Sequence, residues 1–147
     1  MNTGLRFRTR VEPEIQMNSQ YPSAEEYSAQ TARFAELTVV DIGRLQKAVS
    51  EPYVNDVLAD FNSDCMRMAV FEGEYRWHRH PDSDELFLIV DGRLQIDFAE
   101  RRTVELAPWQ FIVVPAGTVH RTRAIGRTVN VTFERQGART EFAERQG

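Results

Sequence analysis

From Cys65 onward the chain alternates between apolar and polar positions in short bursts. Stretches rich in β-branched and aromatic residues recur at 66–72, 75–80, 85–90, 93–98, 102–106, 110–114, 118–124 and 127–133. Short stretches at this spacing, broken by turn residues, predict an all-β sandwich or barrel. Ahead of Cys65 the pattern differs. Ser23 stands three residues before Glu26, a capping-box signature that predicts a short helix to about Phe34, with Tyr27 and Phe34 facing the barrel. A second short helix is expected over 41–49. The run 53–61 reads as a further turn or two of helix before Asn62 and Ser63 break it. Residues 1 to about 20 are polar and aperiodic, and they read as a tail or as an edge strand docked elsewhere.

The stretch 85–98 is the best defined. Asp91-Gly92 carries the signal of a two-residue type I′ hairpin. Pairing Val90 with Arg93 would put Glu85, Phe87 and Ile89 on one face with Leu94, Ile96 and Phe98, while Arg93, Gln95 and Asp97 point the other way. That apolar face is the expected barrel interior, and Glu85 is its one charged member. A carboxylate there is costly unless it reaches water, is paired or binds a metal.

His78 and His80 lie at i and i+2 in an extended run, so both imidazoles leave the same face. His120 follows the Pro115-Ala116-Gly117 turn and shares a face with Thr122 and Ala124, opposite Arg121 and Arg123. On a lone strand such histidines are more often surface or packing residues than ligands. Together with Glu85, the three histidines of the chain all fall on the inferred inward face and form a candidate ligand set for one ion. Strict alternation also places Arg76 inward, where a guanidinium would clamp a carboxylate or phosphate, unless a bulge turns it to solvent. Phe87, Ile96, Phe98 and Thr122 would line the same cavity or serve as ordinary core. Tyr75 and Trp77 fall on the opposite face with Leu86, Leu88 and Val90. That face is apolar too, so the N-terminal helices or a second subunit are expected to cover it, and a homodimer is the simpler expectation.

The run from Gly73 through His78, His80 and Glu85 to Gly92 resembles the first motif of the cupins, and Pro115-Ala116-Gly117 with His120 resembles their second. The resemblance covers about residues 64–133, and Trp77 to Phe87 is similar to small single-domain cupins related to mannose-6-phosphate isomerases. It implies a jelly-roll barrel preceded by short helices, one metal bound by three histidines and one glutamate, and frequent homodimers. It implies no single activity, because cupins include isomerases, epimerases, dioxygenases, decarboxylases, binding domains and storage proteins. Three positions depart from the pattern: Gly73 precedes His78 by one residue fewer than usual, Trp109 stands where the second motif has Gly, and Ala124 replaces its terminal Asn.

Imidazole and carboxylate ligands without thiolate suit Zn, Mn, Fe, Ni or Cu. Four protein ligands would leave one or two positions open on an octahedral ion, as Lewis-acid or O₂ chemistry requires. The expected function is a metal-dependent enzyme, isomerase-like or dioxygenase-like, acting on a small oxygenated molecule. The alternative is a non-catalytic binding or sensing module in which the metal completes the barrel or anchors a ligand, since no acid or base stands out beyond the ligands.

Bulk properties narrow the partners. A net charge of -4 and a pI near 5.4 lack the basic field that nucleic acid or an anionic membrane surface needs. Apolar runs such as 86–90 fall far short of the roughly 20 residues of a membrane span. Arg6, Arg8 and Arg10 lead into no apolar stretch, so no signal peptide is expected. The single cysteine, Cys65, reads as a buried packing residue and fits a cytoplasmic location. At 147 residues one domain is expected: an extension over 1–35, the barrel with its preceding helices over 36–137, and a tail over 138–147.

Overall fold

The computed structural model describes residues 5–7 and 21–145. In chain order the elements are β1 (Leu5–Phe7), α1 (Ala24–Ala29), α2 (Ile42–Lys47), β2 (Tyr53–Phe61), β3 (Asp64–Glu74) and β4 (His78–Arg79). They continue with β5 (Glu85–Asp91), β6 (Leu94–Phe98), β7 (Val104–Leu106), β8 (Phe111–Val114), β9 (His120–Arg135) and β10 (Glu141–Arg145). All pairings are antiparallel, in one curled sheet with the path β1-β10-β4-β9-β3-β2. Strand β9 organises it. One edge takes β3, from Asp64 opposite Arg135 to Glu74 opposite Arg123. The other takes β5 along residues 129–134 and β6 along residues 120–124, with β8 and β7 outside them.

Alternation sorts the side chains into two clusters. Ala69, Phe71, Phe87, Ile89, Leu94, Ile96 and Val114 fill the barrel. On the outer side of the sheet Leu58, Met68, Val70 and Val129 are roofed by Phe34, Ile42, Leu45 and Val49 from the helical segment. Each fully buried side chain of this kind contributes roughly 1.5–3 kcal/mol, so the short helices are held by tertiary packing. Cys65 is fully buried, and burial pushes its thiol up to about 11, as suits a packing residue. On the outward face of β6 and β9, Asp97 joins Arg121 and Arg123 at 2.8 and 2.7 Å. Burial would raise its carboxyl, but hydrogen bonds from Arg123, Thr103 and Arg121 hold it well below the usual carboxylate range.

Several expectations are corrected. Residues 53–61 form strand β2, paired with β3, because the neighbouring strand edge outweighs a weak helical pattern. The capping box does form, Ser23 Oγ accepting from Glu26 N at 3.1 Å, but the helix stops at Ala29. Beyond it Arg33 and Phe34 donate their amides to Val57 and Leu58 of β2, which draws the chain into an extended path. Asp91-Gly92 is not a hairpin: β5 and β6 follow one another in the same direction along β9, Asp91 opposite Val129 and Leu94 opposite Ala124. The expected faces survive because inward positions switch from odd in β5 to even in β6, as a two-residue turn would also make them: the register shifts between Ile89 and Asp91, and Phe87, Ile89, Leu94 and Ile96 are all buried. The stretches 118–124 and 127–133 merge into β9, and β4 shrinks to two residues. The segment 141–145, read as tail, pairs with β1 and β4. No helix among the described residues is long and apolar enough to cross a membrane.

Two backbone positions are testable. Gly92 has φ 83°, and a Cβ there would lie 2.6 Å from both Arg127 O and Thr128 Oγ1. Gly92→Ala should therefore destabilise the fold by at least about 2 kcal/mol in urea titration. Trp109, at the position where the cupin motif has Gly, adopts φ 66° and is exposed. Left-handed backbone is costly for a side-chain-bearing residue, so Trp109→Gly should raise stability by about 0.5–1 kcal/mol. An unchanged urea midpoint would contradict that strain.

Candidate metal centre

The four candidate ligands arrive from the starts of three strands. His78 opens β4, His80 follows that strand, Glu85 opens β5 and His120 opens β9, with His78 and His120 directly paired across the sheet. All four are buried, and their ligand atoms lie within 4.8 Å of one another. Glu85 Oε2 is 3.2 Å from His80 Nε2, and Glu85 Oε1 is 3.7 Å from His120 Nε2. Donors held around one ion at about 2.0–2.2 Å stand roughly 3–4 Å apart, so the cluster already has the spacing of a ligand set.

The far side of each imidazole decides its chemistry. Nδ1 of His78 lies 2.7 Å from the carbonyl of Arg76, Nδ1 of His80 lies 2.9 Å from that of Arg139, and Nδ1 of His120 lies 2.8 Å from that of Thr118. A carbonyl only accepts, so each Nδ1 carries a proton and each Nε2 faces the cluster, where it presents a lone pair whenever it is unprotonated. The buried Nε2 of His120 has no hydrogen-bond partner among the described residues. The donor set and its outer hydrogen bonds thus fit a divalent ion.

Charge follows the same logic. Burial, reinforced by His120 and His80, holds His78 well below the usual imidazole range. Burial would lower His80 as well, but the Glu85 carboxylate beside it overrides this and raises it to about 9. Burial alone would raise Glu85, yet His80 and His120 hold it well below the usual carboxylate range. In the metal-free protein Glu85 and His80 form an ion pair, and an arriving cation would displace the His80 proton.

A second layer of buried charge lies behind His80. The Tyr27 ring stacks on it at 5.8 Å while its hydroxyl donates to Glu134 Oε1 at 2.5 Å. Arg67 places its guanidinium 3.6 Å from the Tyr27 ring centroid, 2.6 Å from Glu134 and 2.9 Å from the Tyr27 carbonyl, and it also donates to Gln30. Glu134 is pushed up to about 7 by burial and by the Glu85 carboxylate. This buried pair ties α1 to β3 and β9 against the metal cluster.

Beside the cluster lies a cavity of about 40 Å³, room for roughly three waters or the reactive end of a small molecule. Phe87 and Thr122 line it as expected from alternation. Ile96 belongs to the apolar core and Phe98 packs against that core; neither reaches the cavity. Arg76 does not line it either, its guanidinium lying 3.7 Å from the Phe142 ring centroid. Alternation fails there because β3 shifts register between Phe71 and Gly73, Gly73 takes φ 91°, and β4 does not begin until His78. Tyr75, expected on the outer face, lines the cavity and packs edge-on against His78. Burial raises Tyr53 to about 12 and Tyr75 further, so both phenols stay neutral hydrogen-bond donors.

The pattern did hold a signal for Arg67 and Glu134. Arg67 falls on the same face of β3 as Ala69 and Phe71, and Glu134 on the same face of β9 as Asn130 and Thr132. Each is a charge at an inward position, the argument that singles out Glu85. The strand expected to end at 133 stops one residue short of Glu134.

Comparison with known proteins agrees with this reading. The cupin domain family matches residues 66–133. The uncharacterized protein YdbB of Bacillus subtilis (strain 168) is 47% identical over 98 residues, spanning 67% of this chain and 87% of that one. The chain belongs to the cupin superfamily. Among solved structures, a cupin-2 domain protein of Shewanella frigidimarina NCIMB 400 superposes with a TM-score of 0.62 at 27% identity, over 66% of this chain and 94% of that one. The DMSP lyase DddQ of Ruegeria pomeroyi DSS-3 shares the fold with a TM-score of 0.51 at 20% identity, over 57% of this chain and 47% of that one.

The buried pair makes a sharp prediction. Arg67→Met should destabilise the protein by about 3–5 kcal/mol, because Glu134 is left buried and unpaired. The double variant Arg67→Met/Glu134→Leu should recover most of that loss. Denaturant midpoints of the three proteins check it, and a double variant no better than the single one would contradict the account.

Proposed function

We propose that this protein is a metal-dependent cupin in which His78, His80, Glu85 and His120 hold one divalent ion, and that it acts as an enzyme on a small oxygenated molecule in the adjoining cavity. The observation that carries this reading is the set of three Nδ1-to-carbonyl contacts, which turn three Nε2 atoms into one cluster with the Glu85 carboxylate. Such an ion supplies Lewis acidity, or O₂ activation where it is redox-active. The protein's own contribution is a buried, shaped cavity whose neutral phenols, amides and hydroxyls orient the bound molecule. Isomerase-like and dioxygenase-like reactions both fit. A phosphorylated sugar of the mannose-6-phosphate kind fits less well, since no Lys or Arg among the described residues lines the cavity. That a DMSP lyase shares the fold supports an enzymatic reading at the level of scaffold only.

A second reading is a binding or sensing module. It is favoured by the lack, among the residues lining the cavity, of an acid or base outside the ligand set. The proposal also includes a cytoplasmic homodimer. Leu86 and Leu88 sit opposite Val113 and Phe111 on the outer sheet face, and Phe111, Val113 and Trp109 are exposed, beyond the part roofed by the helices. A monomeric sedimentation coefficient at micromolar concentration would count against the dimer.

Elemental analysis of the purified protein should find about one Zn, Mn, Fe, Ni or Cu per chain, and a chelator should lower the melting temperature by several degrees. His120→Ala should lose the stoichiometric metal while keeping the barrel's circular dichroism. A wild-type protein that binds no ion under these conditions would sink the reading. O₂ uptake or substrate turnover that disappears with the metal would separate enzyme from binding module.

A further inference from the structure

The cavity holds one polar group that the protein leaves unanswered. Asn130 is 3% exposed, lines the cavity together with the metal cluster, and its Oδ1 has no hydrogen-bond partner among the described residues. The register fixes its place. On β9, Glu134 is opposite Glu85 and Asn130 is opposite Ile89, so Asn130 lies two inward rows, about 13 Å along the strand, from the row of the Glu85 carboxylate. On its other edge it faces Ala69, whose methyl leaves space above the carboxamide. The carboxamide of Asn55, which also lines the cavity, is already engaged by Arg67 and Tyr53.

Leaving such a group buried and unsatisfied costs about 1–3 kcal/mol, which packing alone gives no reason to retain, since Leu has nearly the same shape. A carboxamide oxygen and nitrogen exchange places with little change in shape, so the complement that answers both orientations is a hydroxyl, which donates and accepts. At the other end, a divalent ion on three neutral imidazoles and one carboxylate would leave one positive charge. Among the described residues no Lys or Arg lines the cavity, and Arg67 is committed to Glu134. One carboxylate restores neutrality there, whereas a phosphate dianion over-balances it.

Resting on the metal reading above, we propose that the cavity recognises a small hydroxy-carboxylate, with the carboxylate at the metal end and the hydroxyl on Asn130. Asn130 is then the residue that sets specificity for the hydroxyl, and phosphorylated analogues are excluded by charge.

The test uses protein loaded with Co(II), whose visible spectrum reports binding at the cluster. Dissociation constants would be measured for 3-hydroxypropanoate and 4-hydroxybutanoate against their hydroxyl-to-methyl counterparts butanoate and pentanoate, with 3-(phosphonooxy)propanoate as the charged control. One hydroxy acid should bind roughly tenfold tighter than its methyl counterpart, and the phosphate ester should bind no tighter than 3-hydroxypropanoate. Asn130→Leu should erase the hydroxyl preference while leaving the cobalt stoichiometry intact and the unliganded melting temperature at or above that of wild type. Asn130→Ala provides the same comparison if the Leu variant does not fold. Normal cobalt loading without hydroxyl preference at any chain length overturns this inference alone, as does a preference that survives in both variants. Failure of the wild-type protein to take up cobalt overturns the metal reading instead.

Discussion

Both edges of β9 are occupied, and the placement of nearly every functional group follows from that pairing. With β3 along one side and β5 and then β6 along the other, β9 is fixed in register over its whole length. A one-residue slip would turn His120, Thr122, Asn130 and Glu134 out of the interior together. Gly126 takes φ 70° where the strand passes from pairing with β6 to pairing with β5. Hence a single strand supplies a ligand at its start, the cavity wall in its middle and the buried Glu134 at its end.

The metal cluster forms where the starts of β4 and β9 pair, His78 opposite His120, and where Glu85 at the start of β5 reaches His80 and His120. Backbone carbonyls just before His78 and His120, and the carbonyl of Arg139 near β10, take the outer imidazole protons. Ring orientation is thereby set by main chain, which side-chain substitutions elsewhere do not readily disturb. The buried charges are mutually dependent: Glu85 is held ionised by His80 and His120, while Glu134, pushed up by burial and by Glu85, is held in place by Arg67 and Tyr27. Stacking of Tyr27 on His80 links the two layers and makes the N-terminal helix part of the site's wall.

Much of this was legible in the pattern of residues. The inward face of β5 and β6 could be read even though the hairpin used to read it does not exist, because the irregularity between Ile89 and Asp91 changes the parity of inward positions as a two-residue turn would. Arg76 shows the limit. Counting backward from His78 crosses the end of β4 and the irregularity at Gly73, and Tyr75 takes the inward place that alternation gives to arginine. Residues 53–61 became a strand because the free edge of β3 was there to pair with, a tertiary fact that local propensity cannot carry. Arg67 and Glu134 carried the same signal as Glu85, a charge at an inward position, but only as a pair do they make sense, and the pairing joins residues 67 positions apart (134 − 67). Trp109 departs from the cupin pattern at a glycine position, and the structure shows the left-handed backbone that glycine would serve.

The most direct test of the central claim is X-ray absorption spectroscopy of the metal-loaded protein. The account requires a first shell of nitrogen and oxygen at about 2.0–2.2 Å, with the outer-shell scattering of three imidazoles and no sulfur. A shell containing sulfur, or one without imidazole scattering, would contradict it.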